Sequence, residues 1–175
     1  MDLALADYLL TEGLASTINL HLKMQPYFVS DTMPKDIYDG IGALQAGSLE
    51  DQALASRLQK HMEEGRLTLS VHWFYVTDLF YFQLPEDLRT TLAPNDLVIV
   101  KGDANYRRLL GDASWPHETP FAEIVAYFPA PLVALRTFKG PLAVGLPSGL
   151  AERIQQLDAD WLINGQRGVI QARLI

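Results

Sequence analysis

The sequence predicts an α/β protein with a largely parallel sheet, because apolar segments of strand character alternate along the chain with segments of helical periodicity. The clearest strand, Leu97-Val98-Ile99-Val100, is an unbroken apolar run of the kind that is buried on both faces of a parallel sheet. No linker or change of composition divides the 175 residues. A single domain over residues 1–175 is therefore predicted.

The predicted helices share apolar side chains at helical spacing. They cover Leu3–Leu14, Asp36–Leu44 with Pro34 in the first turn, Leu49–Glu64, a short segment from Pro85, Asp103–Leu110 and Leu150–Leu157. A helix is also favoured over the aromatic stretch Trp73–Phe82, and His61 is expected to be solvated. The predicted strands are Ser16–Lys23, Tyr27–Val29, Leu67–Val71, Leu97–Val100, Pro131–Phe138, Leu142–Val144 and Val169–Leu174.

The charge and the hydrophobic pattern exclude several kinds of partner. The net charge is −7 and no basic run exceeds the pair Arg107-Arg108, so a nucleic-acid partner is not expected. No apolar run approaches the roughly 20 residues of a membrane span, so no membrane association is expected. The chain has no cysteine, which excludes disulfides and thiolate chemistry and suits a cytoplasmic location.

Polar side chains follow three of the predicted strands, at the edge where open α/β sheets bind their ligands. These side chains are Ser30 and Asp31 after the first, Asp103 and Asn105 after the second, and Arg136, Thr137 and Lys139 at the end of the third. Carboxylates suit a hard divalent cation, and the lysine and arginine suit an anionic group. The combination indicates a pocket for a phosphate ester, although other chemistry would fit it too.

The segment Lys101–Arg108 has two interpretations when it is considered on its residues alone. Gly102 permits a sharp turn, Asp103 can cap the following helix, and Arg107 lies one helical turn later on the same face. On these grounds a capped helix with one supporting ion pair is the more common outcome. The alternative is that the same residues form one wall of a binding pocket.

A resemblance favours the pocket. Lys101–Asp112, KGDANYRRLLGD, is similar to the KGD-x-NYRKL-x-GD signature of the ARMT1-like branch of the damage-control phosphatase (DUF89) family. Further similar segments follow the family's order: Leu3–Leu10, His21–Lys23, Pro26–Asp31, Thr119–Phe121, Leu135–Lys139, Val144–Leu146, Trp161–Leu162 and Gly168–Gln171. The resemblance implies a Rossmann-like, three-layer α/β/α domain.

The resemblance also implies an activity and a site. It implies a metal-dependent phosphatase that hydrolyses small phosphorylated metabolites such as sugar phosphates. Asp103 is the implied catalytic residue, acting as a nucleophile or by activating water, and Asp31 the implied metal ligand. The implied substrate contacts are Asp103, Asn105, Tyr106, Arg107, Arg136 and Lys139. Mn²⁺ is the implied metal, with Ni²⁺, Co²⁺ or Mg²⁺ as alternatives.

One departure from the family pattern qualifies the expected activity. The family's other two metal ligands, an Asp-Asn pair, lie in a motif before the helix that is predicted here from Leu3, and this sequence begins after that motif. We therefore expect a sheet lacking one strand, reduced or no activity from the chain alone, and pairing with another chain through an exposed sheet edge. Protein-glutamate carboxyl methylation and a non-catalytic binding protein are the alternative functions.

Overall fold

The computed structural model describes residues 2–27 and 31–174, and over these residues it contains seven α-helices and five strands in two small sheets. The α/β class is confirmed. The fold divides into two compact units, Met1–Thr77 and Asp78–Ile175. Whether the two units behave as the single predicted domain stays a prediction.

The first unit has two parallel strands and three helices. Its elements are α1 (Asp2–Thr11), β1 (Ile18–Leu22), α2 (Pro34–Gln45), α3 (Leu49–Glu63) and β2 (Leu67–Val71). Strands β1 and β2 pair in register from Ile18 opposite Leu67. The predicted elements of this unit are confirmed, except for the strand over Tyr27–Val29, which falls mainly outside the described residues together with Ser30.

The core of the first unit comes from the apolar stripes of its helices and the inner faces of its strands. Its buried members are Ala6, Leu10, Leu22, Ile37, Ile41, Ala55, Leu58 and Leu67. Helix α3 also turns polar side chains inward. His61 was expected to be solvated, but it is buried. It lies on the inward face of α3, and its Nε2 is 3.7 Å from the carboxylate of Asp7 on α1.

The second unit has a mixed three-stranded sheet. Its elements are α4 (Glu86–Leu92), β3 (Val98–Lys101), α5 (Asp103–Leu109), α6 (Phe121–Ile124), β4 (Leu132–Thr137), α7 (Leu150–Leu157) and β5 (Gly168–Arg173). Strand β4 is central, parallel to β3 and antiparallel to β5. The sequence predicted these strands but not the reversed direction of β5, because hydrophobic periodicity carries no information about strand direction.

Two predicted elements are wrong. The helix over Trp73–Phe82 is replaced by two 3₁₀ segments, Trp73–Val76 and Tyr81–Gln83. The first is closed at both ends by side chains: His72 accepts from the Phe74 N–H, and the Thr77 hydroxyl donates to the Phe74 carbonyl. These local bonds terminate the segment after one turn.

The predicted strand Leu142–Val144 is also wrong, because its carbonyls bond to side chains and not to a neighbouring strand. The carbonyl of Leu142 accepts from Arg136, that of Ala143 from His117 Nδ1 at 2.8 Å, and that of Val144 from Gln171 Nε2 at 2.7 Å. Side-chain partners thus satisfy the buried backbone of this segment.

None of the helices within the described part of the chain combines the length and the apolar character that crossing a bilayer requires.

Candidate functional site

The carboxyl ends of β3 and β4 bring the main predicted residues to one edge of the second unit's sheet. Lys101 is opposite Leu135 in the parallel register. Asp103 follows β3 by two residues, and Arg136 follows Leu135 within β4. Residues 33 positions apart in the sequence therefore become neighbours, at the position where parallel sheets bind ligands.

The turn between β3 and α5 depends on Gly102, whose φ of 98° is one that a side chain disfavours. Gly102 occupies the N-cap position, and no side chain caps the helix. The expectation that Asp103 caps α5 is therefore wrong.

The expected ion pair between Asp103 and Arg107 is wrong as well. Asp103 Oδ1 accepts from Arg136 Nε at 2.8 Å, whereas Arg107 donates to Asp112 from Nε at 2.7 Å and from Nη2 at 2.6 Å. Helical spacing brings Asp103 and Arg107 to the same side of α5. Asp103 nevertheless pairs with Arg136 on β4, and Arg107 pairs with Asp112 after the end of the helix.

Arg136 is the most enclosed charge of the site, with no exposed side-chain surface. Besides Asp103, it donates to the carbonyls of Gly140 at 3.0 Å and of Leu142. Its guanidinium carbon lies 4.6 Å from the ring centroid of Tyr106 and 5.0 Å from that of Phe138. The cation is thus surrounded by a carboxylate, two carbonyls and two aromatic faces, which together offset its loss of water.

Tyr106, a predicted substrate contact, is buried, and its hydroxyl donates to Gln171 Oε1 on β5 at 2.6 Å. Burial raises the pKa of Tyr106 to about 12, against the opposing effect of the nearby Arg136 cation. The phenol is therefore neutral and fixed inside the protein, with its ring beneath Arg136.

Asn105 is held to the end of β3 and to the preceding aromatic segment. Its Nδ2 donates to the Lys101 carbonyl at 2.9 Å, and its Oδ1 accepts from the Tyr81 hydroxyl at 3.4 Å. Burial raises the pKa of Tyr81 to about 12. The neutral phenol can therefore keep donating to Asn105 throughout the physiological pH range.

Lys139 and Gly140 form the loop that follows β4. Lys139 is exposed, and within the described residues its ammonium group makes no ion pair. A Cβ placed on Gly140 would lie 3.8 Å from Asp103 Oδ2 and 3.9 Å from Arg107 Cδ. The backbone of this loop therefore passes beside the Asp103 carboxylate and the Arg107 side chain.

Asp31, the predicted metal ligand, belongs to the first unit. Its Oδ2 accepts from the Tyr27 N–H at 3.0 Å and lies 3.7 Å from Lys23 Nζ. Across the part of the chain that the structure describes, no group of three or more His, Asp or Glu side chains is arranged to hold a metal ion. These residues by themselves do not fit a divalent cation, which needs several oxygen ligands.

Sequence reasoning missed three residues that complete the geometry. Gln171 joins Tyr106 to the Val144 carbonyl, Gly140 lies beside Asp103, and Asp112 pairs with Arg107. One signal was present, because Asp112 closes the segment KGDANYRRLLGD. Gln171 alternates with the apolar Ile170 and Ala172, so the alternation of the strand would place it on the outward face, whereas the structure turns it inward. Gly140 had no distinguishing signal.

Comparisons with known proteins identify the family of this chain. Residues 1–154 match the family model described as the damage-control phosphatase ARMT1-like domain. Among curated proteins, damage-control phosphatase ARMT1 of Danio rerio is 38% identical over 175 residues, that of Xenopus tropicalis 39% over 180, and that of Homo sapiens 33% over 178.

Each of these alignments covers 97% of this chain and 39–40% of the relative, so the chain spans about two-fifths of the length of the curated relatives it matches. The similarity includes the whole edge formed by β3, α5 and β4. The resemblance identified from the sequence is confirmed: the chain belongs to the ARMT1-like branch of the damage-control phosphatase family.

Proposed function

We propose that this chain is a phosphatase domain that acts on small phosphorylated metabolites, with sugar phosphates such as fructose phosphates as the substrate class. The observation that carries the proposal is the convergence of Asp103, Arg107 and the Lys139–Gly140 loop at the carboxyl edge of β3 and β4. Membership of the damage-control phosphatase family supports it.

The proposed roles follow from exposure and charge. Lys139 and Arg107 bind the phosphate dianion, because both cations are accessible from solvent. Asp103 presents Oδ2, which accepts no hydrogen bond from any described residue, while Oδ1 is held by Arg136. Asp103 either attacks phosphorus to give an aspartyl phosphate that water then hydrolyses, or accepts a proton from the water that attacks phosphorus directly. In both routes the ester P–O bond breaks, water supplies the new P–O bond and the proton of the alcohol, and the ester oxygen leaves with the metabolite. Asn105 lines the same wall.

Metal dependence is part of the proposal, with Asp31 as a ligand and Mn²⁺ as the first ion to test, followed by Ni²⁺, Co²⁺ and Mg²⁺. Asp31 alone would bind a hydrated ion weakly, because one carboxylate replaces too little of its hydration shell. We therefore expect low turnover from the chain by itself, and substrate binding is the more sensitive measurement.

The test is calorimetric titration of the 175-residue chain with a fructose phosphate, paired with measurement of phosphate release with and without Mn²⁺. Lys139→Ala and Arg107→Gln should each weaken binding about tenfold, as expected for a lost charge-assisted contact. Lys60→Ala is the matched control, since Lys60 is an exposed lysine of α3 in the first unit. Metal chelation should abolish any phosphate release.

Two results would contradict the proposal. The first is the absence of sugar-phosphate binding, or binding that Lys139→Ala and Lys60→Ala change equally. The second is consumption of S-adenosylmethionine with methylation of acidic residues on an added protein and no release of phosphate, which would favour the methyltransferase alternative.

Self-association is a separate part of the proposal. Strand β5 lies at one end of the sheet order β3-β4-β5 and has one strand partner among the described residues, and its Ile170 is 80% exposed. Strands with a free edge template pairing with another chain. Size-exclusion chromatography should show a concentration-dependent dimer, and a monomer at all concentrations would argue against edge pairing.

A further inference from the structure

The buried surroundings of Arg136 suggest a role different from phosphate binding. The side chain of Arg136 has no exposed surface, and it donates from Nε, Nη1 and Nη2 to Asp103, Leu142 and Gly140 respectively. To reach a phosphate in solvent it would have to leave the carboxylate and both carbonyls. Breaking those bonds would strand buried polar groups, which is costly.

The aromatic neighbours of Arg136 also restrict its movement. Tyr106 and Phe138 both lie within 5.0 Å of the guanidinium carbon. Tyr106 is itself fixed by its bond to Gln171, and Phe138 packs edge-on against Trp161 at 5.5 Å between centroids. The rings on which the guanidinium rests are therefore anchored to β5 and to the buried Trp161.

The effect on Asp103 is to orient its carboxylate. Arg136 binds Oδ1 and leaves Oδ2 facing the space beside Gly140 and Arg107. The Asp103 side chain keeps 18% of its surface exposed, in contrast to Arg136. One oxygen is thus the anchor, and the other remains available for chemistry.

We propose that Arg136 is a positioning residue: it does not touch the phosphate but fixes the Asp103 carboxylate and, through the carbonyls of Gly140 and Leu142, the loop that carries Lys139. This inference rests on the proposed phosphatase function for its kinetic consequences. Its structural consequences, a shielded guanidinium and an ordered loop, hold without it. Small errors in the placement of a reacting group reduce turnover strongly, which gives such a residue its importance.

The first measurement does not depend on activity. The Arg136 Nε–H should give a slowly exchanging NMR signal that disappears in Arg136→Lys and moves in Asp103→Asn. Titration with inorganic phosphate should leave this signal unchanged while it shifts the signals of Lys139. A phosphate-dependent shift of the Arg136 signal as large as that of Lys139 would overturn the proposal.

The second measurement separates orientation from binding. Arg136→Lys keeps the positive charge but loses the planar guanidinium with its several N–H donors. We therefore expect kcat to fall about 100-fold, with KM changed less than threefold. Lys139→Ala should instead raise KM. A tenfold rise in KM with unchanged kcat for Arg136→Lys would show a direct phosphate contact and contradict the proposal.

A milder variant covers the outcome in which Arg136→Lys does not fold. Phe138→Leu removes one ring face from the guanidinium and keeps an apolar side chain in the core. It should speed amide exchange at Gly140, whose N–H donates to Leu162 at 3.0 Å, and lower kcat less than Arg136→Lys does. Unchanged exchange at Gly140 would count against the positioning role.

If the wild-type chain shows neither turnover nor sugar-phosphate binding, the proposed function fails. The NMR signals that do not depend on phosphate still decide whether Arg136 orients Asp103.

Discussion

Arg107 and Asp112 form a two-pronged ion pair at the end of α5, with donor–acceptor distances of 2.7 Å and 2.6 Å. Asp112 has a φ of 49°, the single positive φ found for a non-glycine residue within the described ranges. Its N–H also donates to the Arg107 carbonyl at 2.8 Å. The left-handed backbone turns the carboxylate back toward the helix, so a local strain of about 1 kcal/mol serves to place a charge beside Arg107.

The Arg107–Asp112 pair should contribute little to stability. Both side chains are about two-fifths exposed, so solvent screens the charges. A double-mutant cycle with Arg107→Gln and Asp112→Asn should give a coupling energy of about 0.2–1 kcal/mol that decreases at high salt. Asn tolerates the left-handed backbone, so the second change removes only the charge. Urea unfolding measures the cycle, and a coupling above about 2 kcal/mol would mean that the pair is shielded from solvent.

The Asp7–Arg57 pair should matter more, because one of its members is buried. Asp7 is 5% exposed on α1 and accepts three hydrogen bonds from Arg57 on α3, at 2.8–3.0 Å. Arg57→Ala leaves this carboxylate without its main donor and should destabilise the chain by about 1–3 kcal/mol. Lys60→Ala, which breaks an exposed 3.8 Å pair with Glu64, should change stability by less than about 0.5 kcal/mol. Equal effects of the two variants on the free energy of urea unfolding would show that the Asp7–Arg57 pair stabilises the chain no more than the exposed Lys60–Glu64 pair.

Stability should fall at alkaline pH because of Tyr81 and Tyr106, whose pKa values burial raises from 10.0 to about 12. Above pH 10 the unfolded chain loses phenolic protons that the folded chain still holds, so unfolding becomes more favourable. Each neutral, buried phenol contributes roughly 1–3 kcal/mol to the free energy of unfolding. This contribution is complete below pH 10 and is lost between pH 10 and about 12.

Urea unfolding across this pH range, with phenolate absorbance recorded in parallel, measures the alkaline loss. Tyr81→Phe should flatten the pH dependence between 10 and 12, although it removes the weak bond to Asn105. Tyr8→Phe, at a residue that is 56% exposed, should leave the pH dependence as it is in the wild type. Identical profiles for Tyr81→Phe and the wild type would contradict the expectation.

The single-domain prediction can be tested through the two cores. Leu58 in the first unit and Leu109 in the second are both fully buried, so each change to Ala should cost about 2–5 kcal/mol. If the units unfold together, both variants keep one thermal transition at a lower midpoint. Leu157→Ala, at a residue that is 79% exposed, is the control and should have little effect. Two separate transitions in Leu58→Ala would show that the units are independent domains.

The elements that the sequence predicted correctly are those whose stability depends on local pattern. Helix α3 combines apolar periodicity with a capping box between Ser48 and Asp51, and β3 is a short apolar run bounded by turn residues. The predictions failed where side chains replaced backbone pairing, in the two 3₁₀ segments of Trp73–Phe82 and in Leu142–Val144. Periodicity indicates which face of a segment is apolar but not which group will satisfy its carbonyls.

The candidate site also combines features set by local sequence pattern with features set by tertiary contacts. The sequence by itself determined that an apolar strand ends at a glycine turn, and therefore that Asp103 begins a helix at the edge of a sheet. The expected burial of both faces of that strand is wrong, because Val100 is buried but Ile99 on the opposite face is 38% exposed. Only the tertiary structure decided that the partner of Asp103 is Arg136 on the neighbouring strand and not Arg107 on its own helix. Helical spacing constrains neighbours within about four residues, whereas the register of two parallel strands brings together side chains far apart in the chain. The ion pair that orients the carboxylate is a product of that register.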